Sequence, residues 1–333
     1  MIFETGDRSR VIKKGDKKMN NRKHKTVALA LAALIAVGAS SVGANASTDR
    51  YGSRISSADT SAGYSAYSAR AREYLSLSTI PTKNPSSYKR PSVRVGGKGL
   101  SVKGIIIGET EYIPIKDAAE ALGAKYSYDS KNGSAVISSG GLYMTVGTGC
   151  YVAYANDRVL FSLSPSVIMN DGRMYVPVEI FAKATGLSVG HTTGYITLEG
   201  SFRPIPPASS FYRSDEVFWL ARIIHAESSG EPLLGQIAVG NVVLNRVKSP
   251  LYPNTIYSVI FDRKWGVQFS PILNGTIYNT PSYLSTLAAK ICLEGYEVTE
   301  GALFFLEPRL SSSSWIPNSR EYVYTIGRHD FYR

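Results

Sequence analysis

One carboxylate lies on the apolar side of a predicted helix in the last third of the chain. Residues 220–232 read LARIIHAESSGEP, and apolar residues recur at helical spacing as far as Ile224. Three residues further on, the same spacing reaches Glu227, which therefore faces inward in the last turn. Partial burial and the negative helix end both disfavour the ionised carboxyl. A carboxyl with a raised pKa suits a general acid that works near neutral pH.

The flanking residues predict the helices that must position this carboxyl. Ser214 is a helix-start signal, and Gly230 is a candidate C-cap for the first helix. Pro232 suits the first turn of a second helix, which continues over residues 235–247. A purely structural role for Glu227 also stays open, because bonds to the backbone or to Arg222 would equally stabilise a buried carboxylate.

Amide and aromatic side chains are frequent in the segments that follow Glu227. Such groups suit sugars, which present apolar ring faces and hydroxyls, although the same residues also occur in loops that pack on their own aromatics. The candidate substrate-binding residues of this kind are Gln236, Gln268, Phe269, Asn274 and Trp315. Further along, the sequence predicts a helix over 282–295, a strand over 301–308 and a strand around 322–326.

Four stretches in this region resemble the SleB-type cell wall hydrolase catalytic domain, a family that includes spore cortex-lytic enzymes. They are LARIIHAESSGEPLLGQIAVGNVVLNRVKSPLYPNTIYSVIF, VQFSPILNGTI, EGALFFLEP and IGRHDFYR, in this order over residues 220–333. The resemblance implies a mainly α, lysozyme-like fold related to lytic transglycosylases, with a small β element. The glutamate of the family's A-E-x-x-G-E-P stretch is its catalytic acid and maps onto Glu227. Ser228 resembles the serine that orients the acid in soluble lytic transglycosylases.

The implied reaction is cleavage of peptidoglycan between N-acetylmuramic acid and N-acetylglucosamine, with one Glu as acid and then base. No cofactor or metal is expected. Glu231 is the nearest second acid, but Pro232 follows it at once, so it is interpreted as a helix N-terminal charge. A hydrolytic muramidase, which usually needs a second carboxylate, and a non-catalytic wall-binding protein remain alternatives. A zinc amidase is disfavoured because this domain contains only His225, His329 and Cys292 as histidine or cysteine ligands, with no H-x-x-E-H-like spacing. Spore cortex and vegetative wall both remain open as targets.

An internal repeat precedes this region. EYIPIKDAAEALGAKYSYD begins at Glu111 and MYVPVEIFAKATGLSVGHT begins at Met174, with each unit predicted as strand, helix and strand. The repeat resembles the copper amine oxidase N-terminal-like domain, also called a stalk domain, of secreted Gram-positive proteins. The resemblance implies a spacer or a wall-associated binding module. His191 is the only histidine in the repeat and has no ligand-spaced partners, so no metal site is predicted.

The N-terminal region has the features of an export signal. A basic segment leads into an apolar stretch over 27–37, and Ala44-Asn45-Ala46 predicts cleavage after Ala46. The stretch is short for a membrane span, although a retained signal anchor is the alternative. Either Met1 or Met19 can be the start, since Met19 opens a compact signal peptide.

Charge and cysteine content agree with an exported protein. The net charge is +11, and much of the basic excess lies within residues 1–46, so the sequence gives no nucleic-acid footprint. Cys150 and Cys292 are too few for a disulfide scaffold, although one bridge stays open.

Taken together, the sequence predicts an α+β protein whose duplicated stalk domain precedes the catalytic domain. The predicted divisions are a signal peptide at 1–46, a flexible linker at 47–90, the stalk domain at 91–200, a Pro/Ser linker at 201–210 and the catalytic domain at 211–333.

Overall fold

A computed structural model describes residues 85–333 apart from 169–170, 265 and 312–314. The predicted signal peptide and nearly all of the predicted flexible linker lie outside these residues. Over the described ranges, no helix has both the length and the apolar content that crossing a membrane requires.

The N-terminal module, residues 92–199, is made of short strands with a helix after the fourth and the eleventh. Its elements are β1 (Ser92–Val95), β2 (Lys98–Gly99), β3 (Ile105–Ile107), β4 (Thr110–Pro114), α1 (Ile115–Ala121), β5 (Lys125–Asp129), β6 (Ser134–Ser139), β7 (Leu142–Gly147), β8 (Val152–Ala155), β9 (Arg158–Phe161), β10 (Val167–Ile168), β11 (Met174–Pro177), α2 (Val178–Thr185), β12 (Ser188–Thr192) and β13 (Tyr195–Glu199). They form sheets with the strand orders β12-β13-β1-β2, β10-β11-β4-β3 and β5-β6-β7-β8-β9.

The two halves of the sequence repeat have the same local structure and lie side by side. β4, α1 and β5 carry the first copy, and β11, α2 and β12 carry the second. β4 and β11 pair antiparallel, with Tyr112 opposite Pro177 and Pro114 opposite Tyr175. Each proline ends its strand and precedes a helix, where a missing backbone N–H is tolerated. The pairing buries Tyr112 and Tyr175 together with Ile105 and Val167.

The C-terminal module, residues 214–333, is mainly helical. A short helix, α3 (Ala208–Phe211), lies before it in the connector, which we define as residues 200–213. The elements of the module are α4 (Ser214–Ser228), α5 (Leu233–Lys248), α6 (Ile256–Ile260), α7 (Pro271–Asn274), α8 (Tyr283–Leu293), β14 (Phe304–Leu306), α9 (Trp315–Ser319), β15 (Tyr322–Ile326) and β16 (His329–Tyr332). The strands form an antiparallel sheet in the order β14-β16-β15. The predicted mixture of α and β elements is confirmed.

Helices α4, α5 and α8 pack on one another around a large apolar core. They contribute side chains such as Ile224, Ile237, Val242 and Leu287, all 3% exposed or less. The close approach of α5 to α8 needs Gly240, because a Cβ there would lie 2.7 Å from Cys292 Sγ. Cys150 and Cys292 are both buried free thiols.

Candidate active site

Glu227 occupies the inner side of the last turn of α4. The helix buries Leu220, Ala221 and Ile224 along the stripe that leads to this residue. Glu227 itself is only partly covered, so its carboxyl lies at the edge of the core, where a ligand can reach it. The sequence spacing and the structure therefore agree on the direction of this side chain.

The surroundings of Glu227 favour its protonated form. Burial raises the pKa of Glu227 to about 7, and the positive charge of Arg246 acts in the opposite direction. Among the described residues, the carboxyl accepts no hydrogen bond and forms no ion pair that would stabilise its charge. A carboxyl in this state can release a proton to a ligand and take one back near neutral pH.

Arg246, on α5, provides a buried positive charge near Glu227. It is 5% exposed, and its Nε donates to the Leu303 carbonyl over 2.8 Å. Its Nη1 is buried without a hydrogen-bond partner in the described part of the chain. Burial lowers the pKa of Arg246, while Tyr252, Asp262 and Glu227 oppose that change. An unpaired buried donor of this kind calls for a functional or solvent explanation.

Aromatic rings extend from Arg246 towards the surface. The guanidinium carbon lies 5.1 Å from the ring centres of Tyr252 and Phe269 and 5.7 Å from that of Phe304. Phe304 in turn meets Trp315 edge to face at 5.9 Å. Trp315 is 54% exposed, so the outer end of this row offers an apolar face to a ligand.

Arg320 covers the outer part of the same row. Its guanidinium lies 4.7 Å from the Phe304 ring centre and 5.0 Å from that of Trp315. An exposed tryptophan next to an arginine suits a ligand that combines apolar ring faces with anionic groups.

A buried polar network fixes the helices behind the acid. His225 Nδ1 lies 3.3 Å from the Ser282 amide nitrogen and 3.4 Å from Ser285 Oγ. Ser285 Oγ donates to Gln236 Oε1 over 2.8 Å, and Gln236 Nε2 donates to the Glu231 carbonyl over 2.9 Å. The network joins α4, α5 and α8, so His225 is a structural neighbour of Glu227.

Three of the residues predicted to bind substrate lie in the interior instead. Gln236 is fully buried, and both ends of its amide are used in the network. Ser228 is 3% exposed, and its hydroxyl donates back to the Ile224 carbonyl over 2.7 Å. Phe269 is 2% exposed and packs beside Arg246. These contacts show that the three side chains support the site from the interior, and their assignment to substrate binding stays a prediction.

The other predicted substrate-binding residues are nearer the surface. Gln268 Nε2 donates to the Gly266 carbonyl over 3.0 Å. Asn274 is exposed, and its Oδ1 accepts hydrogen bonds from the amide and the hydroxyl of Thr276. These contacts stabilise local turns. Of the predicted residues, Phe269 and Trp315 belong to the aromatic row, and Trp315 is the exposed one.

Asp262 was not among the predicted site residues. Its Oδ1 accepts from the Lys264 amide over 2.9 Å, and its Oδ2 is buried without a partner among the described residues. The negative charge of Asp262 favours a higher pKa for Arg246, and the positive charge of Arg246 favours a lower pKa for Glu227. The sequence context of Asp262, FDRK, gives no signal that would distinguish it from a loop aspartate.

Glu231 has a structural partner far along the chain. Its side chain is 1% exposed, and Oε1 accepts from Arg328 Nε over 2.6 Å while Oε2 accepts from the Arg328 amide over 2.9 Å. Glu231 directly precedes Pro232, the N-cap of α5, as interpreted from the sequence, and its carboxylate also forms a buried ion pair with Arg328. Gly230 is not the predicted cap, because Ser229 caps α4. A Cβ on Gly230 would lie 2.8 Å from Arg328 Nη2, so close approach explains this glycine.

Gly327→Ala is expected to destabilise the protein more than Gly275→Ala. Both glycines have positive φ, +61° and +78°, so both substitutions carry backbone strain of about 1 kcal/mol. At Gly327 the new Cβ would also lie 1.9 Å from Glu231 Oε2, whereas nothing lies within 4 Å at Gly275. Urea unfolding should show an additional loss of about 2 kcal/mol for Gly327→Ala. Equal losses would mean that the Glu231 contact is not maintained.

Family models match both parts of the chain. The model described as Cell Wall Hydrolase matches residues 230–332, and the model described as Copper amine oxidase N-terminal domain matches residues 94–198. Both resemblances predicted from the sequence are thus confirmed. The first match begins three residues after Glu227, so it does not include the candidate acid.

Curated relatives match over 120 residues. The spore cortex-lytic enzyme of Bacillus cereus is 37% identical, covering 36% of this chain and 45% of that protein. The spore cortex-lytic enzyme of Bacillus subtilis is 33% identical, covering 36% of this chain and 38% of that protein. The chain thus spans less than half the length of these relatives.

Solved structures also match, and two of them are catalytic domains of SleB proteins. The catalytic domain of the germination-specific lytic transglycosylase SleB from Bacillus anthracis is 35% identical with a TM-score of 0.34, covering 39% of this chain and all of that chain. The catalytic domain of the Bacillus cereus SleB protein is 36% identical with a TM-score of 0.34, covering 37% of this chain and 92% of that chain.

Proposed function

From the cell wall hydrolase domain that this chain carries, we propose a lytic transglycosylase that cleaves peptidoglycan glycan strands, with Glu227 as its acid and base. One observation carries the proposal: burial raises the pKa of the partly exposed Glu227 carboxyl to about 7, and no described residue offers it a stabilising hydrogen bond. The relatives named spore cortex-lytic enzymes supply the substrate class. The sequence resemblance implies a lysozyme-like arrangement for this mainly helical domain.

The proposed reaction uses one carboxyl twice. Glu227 gives its proton to the glycosidic oxygen between N-acetylmuramic acid and N-acetylglucosamine, and that bond breaks through an oxocarbenium-like state. The Glu227 carboxylate then accepts the proton of the muramyl C6 hydroxyl as that oxygen bonds to C1. The product is a 1,6-anhydro ring, and Glu227 ends the cycle protonated.

Arg246 supports the charged stage of this cycle. Between the two proton transfers Glu227 is an anion at the edge of the apolar core, where an anion is costly without a counter-charge. The fixed charge of Arg246 lowers that cost and is held in place by Leu303 and the aromatic rings. Trp315, with Arg320 over its face, binds a sugar ring at the outer end of the aromatic row that begins at Arg246.

The N-terminal module serves as a duplicated stalk domain that associates with the wall. The protein is exported, with cleavage after Ala46, and acts on peptidoglycan in the spore cortex or the vegetative wall. Its partners are glycan strands, and nucleic acid is not among them.

Hydrolysis is the second candidate, and Asp262 favours it. A muramidase of the hydrolytic type usually places a second carboxylate near the acid. The carboxylates of Asp262 and Glu227 both interact electrostatically with Arg246. Asp262 Oδ2 has no hydrogen-bond partner among the described residues. In the hydrolytic reaction, Asp262 orients a water molecule that takes the place of the C6 hydroxyl.

Mass spectrometry of products released from purified wall and cortex peptidoglycan tests these functions. Anhydromuramic acid ends are expected from the wild-type protein. Reducing muramic acid ends that disappear in Asp262→Asn would establish hydrolysis instead. Binding to peptidoglycan without any released product from either source would overturn both and leave a wall-binding protein.

The rate of glycan cleavage is expected to fall as the pH rises above about 7. Glu227 must be protonated to act as the acid, and its pKa of about 7 sets the basic limb of kcat/KM for the free enzyme. Initial rates on solubilised glycan strands between pH 5 and 9 measure this limb. A rate that stays constant up to pH 9 would contradict the assignment.

A further inference from the structure

A buried carboxylate connects the two modules. Glu294 follows the last residue of α8, and its side chain is 3% exposed. Its carboxylate accepts two hydrogen bonds from Arg158, at 2.8 and 2.7 Å, and one from Tyr212 at 2.6 Å. It also forms an ion pair with Lys183 at 2.9 Å. Arg158 and Lys183 belong to the N-terminal module, and Tyr212 belongs to the connector.

The charges of this cluster depend on one another. Burial would raise the pKa of Glu294, but the hydrogen bonds from Arg158, Tyr212 and Lys183 outweigh it and hold that pKa below its usual range. Arg158 is itself buried, with 8% of its side chain exposed. Separating the modules would therefore leave charged groups that require rehydration or a new partner.

Further contacts surround the cluster on both sides. The Arg158 guanidinium carbon lies 3.3 Å from the Phe211 ring centre. The hydroxyls of Tyr154 and Tyr283 lie 3.0 Å apart, and the rings of Phe161 and Tyr296 meet edge to face at 4.7 Å. Each of these last two pairs joins the five-stranded sheet to α8 or to the residues that follow it.

The apolar core also crosses the boundary between the modules. Tyr151, Val152 and Val159 of the N-terminal module belong to the same buried cluster as the inner faces of α4, α5 and α8. A module joined only by a flexible linker would have a closed core of its own. The continuity of the core indicates a permanent contact.

The connector is packed, although its sequence predicted a Pro/Ser linker. The Ile205 amide donates to the Ala184 carbonyl over 3.0 Å, and Asn156 Nδ2 donates to the Ile205 carbonyl over 2.7 Å. The Ala208 amide donates to the Asn156 carbonyl over 2.9 Å. These bonds hold the connector against the N-terminal module on its way to α4.

We propose that the N-terminal module is a permanent intramolecular partner of the C-terminal module, with Glu294 as the central contact, so that both unfold as one cooperative unit. The partner surface runs along α8, from Tyr283 at its N-terminal end to Glu294 just after its C-terminal end. The amide of Ser282, which caps the N-terminal end, donates to His225, two residues before Glu227. The module therefore fixes the direction in which the acid faces and is not a spacer on a flexible joint. This inference does not depend on the proposed reaction.

Calorimetry of the whole exported chain tests the proposal. The wild-type protein is expected to unfold in one transition. Glu294→Gln removes the anion that Arg158 and Lys183 share, and should lower Tm by about 6 °C or more or split the transition in two. The matched control is Asp215→Asn, since Asp215 pairs with Arg213 on the surface with 58% of its side chain exposed. That substitution should shift Tm by about 1 °C or less.

A milder variant and a second measurement keep the test decisive if Glu294→Gln does not fold. Lys183→Met removes the half-exposed member of the cluster and should lower Tm by an intermediate amount. It should also speed tryptic cleavage at Arg203 in the connector relative to the wild-type protein, a site that the control substitution does not contact. Two separate transitions in the wild-type protein, or variants indistinguishable from Asp215→Asn by both measurements, would overturn the proposal. Because neither measurement involves catalysis, a failed glycan-cleavage assay would leave this result unaffected.

Discussion

Glu227→Gln is expected to lower the rate of glycan cleavage by about 10²- to 10⁴-fold, the usual contribution of a general acid. The amide keeps the shape of the side chain and its partly buried position but has no acidic proton to give. Initial rates on solubilised glycan strands at pH 6 measure the loss. The matched control is Glu216→Gln, which removes a carboxyl from the first turn of the same helix and should leave the rate unchanged.

The pH dependence of stability shows whether the Glu227→Gln variant is folded and whether the acid is perturbed. Because the folded chain keeps a proton on Glu227 that the unfolded chain releases above about pH 4.5, the wild-type protein loses stability as the pH rises from about 4.5 to about 7. The variant has no such proton and should melt above the wild type at pH 8, but not at pH 4. A folded variant that retains a tenth of the wild-type rate would contradict the role of Glu227.

Arg246→Met is expected to reduce the cleavage rate by about 10²-fold or more. Removing one preorganised electrostatic group from the active site of other enzymes has an effect of this size. The substitution should also move the basic limb of the pH profile to higher pH. The charge of Arg246 lowers the pKa of Glu227, so its removal lets burial raise that pKa further. The full pH profile of kcat/KM measures both effects.

Arg246→Lys is the matched variant for this prediction. It retains a positive charge but loses the fork geometry and the hydrogen bond to Leu303. The basic limb should therefore stay near that of the wild-type protein, although the rate falls. If Met and Lys variants show the same limb as the wild type, Arg246 acts only through packing.

The fold was largely predictable because its elements have strong local signals. The stripe through Leu220 and Ile224 indicated α4 and the direction of Glu227, and both agree with the structure. The strand predicted around 322–326 is β15, and the helix predicted over 282–295 is α8, which ends two residues earlier at Leu293. Hydrophobic periodicity and capping residues determine such elements within a short segment.

The role of individual polar residues was less predictable because it depends on contacts far along the chain. Gln236 has the amide expected of a sugar-binding residue, but Ser285, 49 positions later, occupies it. Glu231 is paired with Arg328, 97 positions later. Hydrophobic periodicity carries no signal for these pairings, so residue type alone did not predict that Gln236 is buried.

The role of Arg246 near the acid was also not predictable from the sequence. In the sequence it is one of several polar residues near the end of a helix, where basic residues commonly interact with the helix dipole. Its burial depends on Tyr252, Phe269 and Phe304, which three different segments bring together. Only the tertiary structure places its charge near Glu227.

The central claim, that Glu227 holds a proton at neutral pH, is tested most directly by carbon-13 NMR titration of glutamate-labelled protein. The carboxyl resonance absent from Glu227→Gln identifies this residue. Its midpoint is expected near pH 7. A midpoint near 4.5 would show an ordinary carboxylate and contradict its role as the acid.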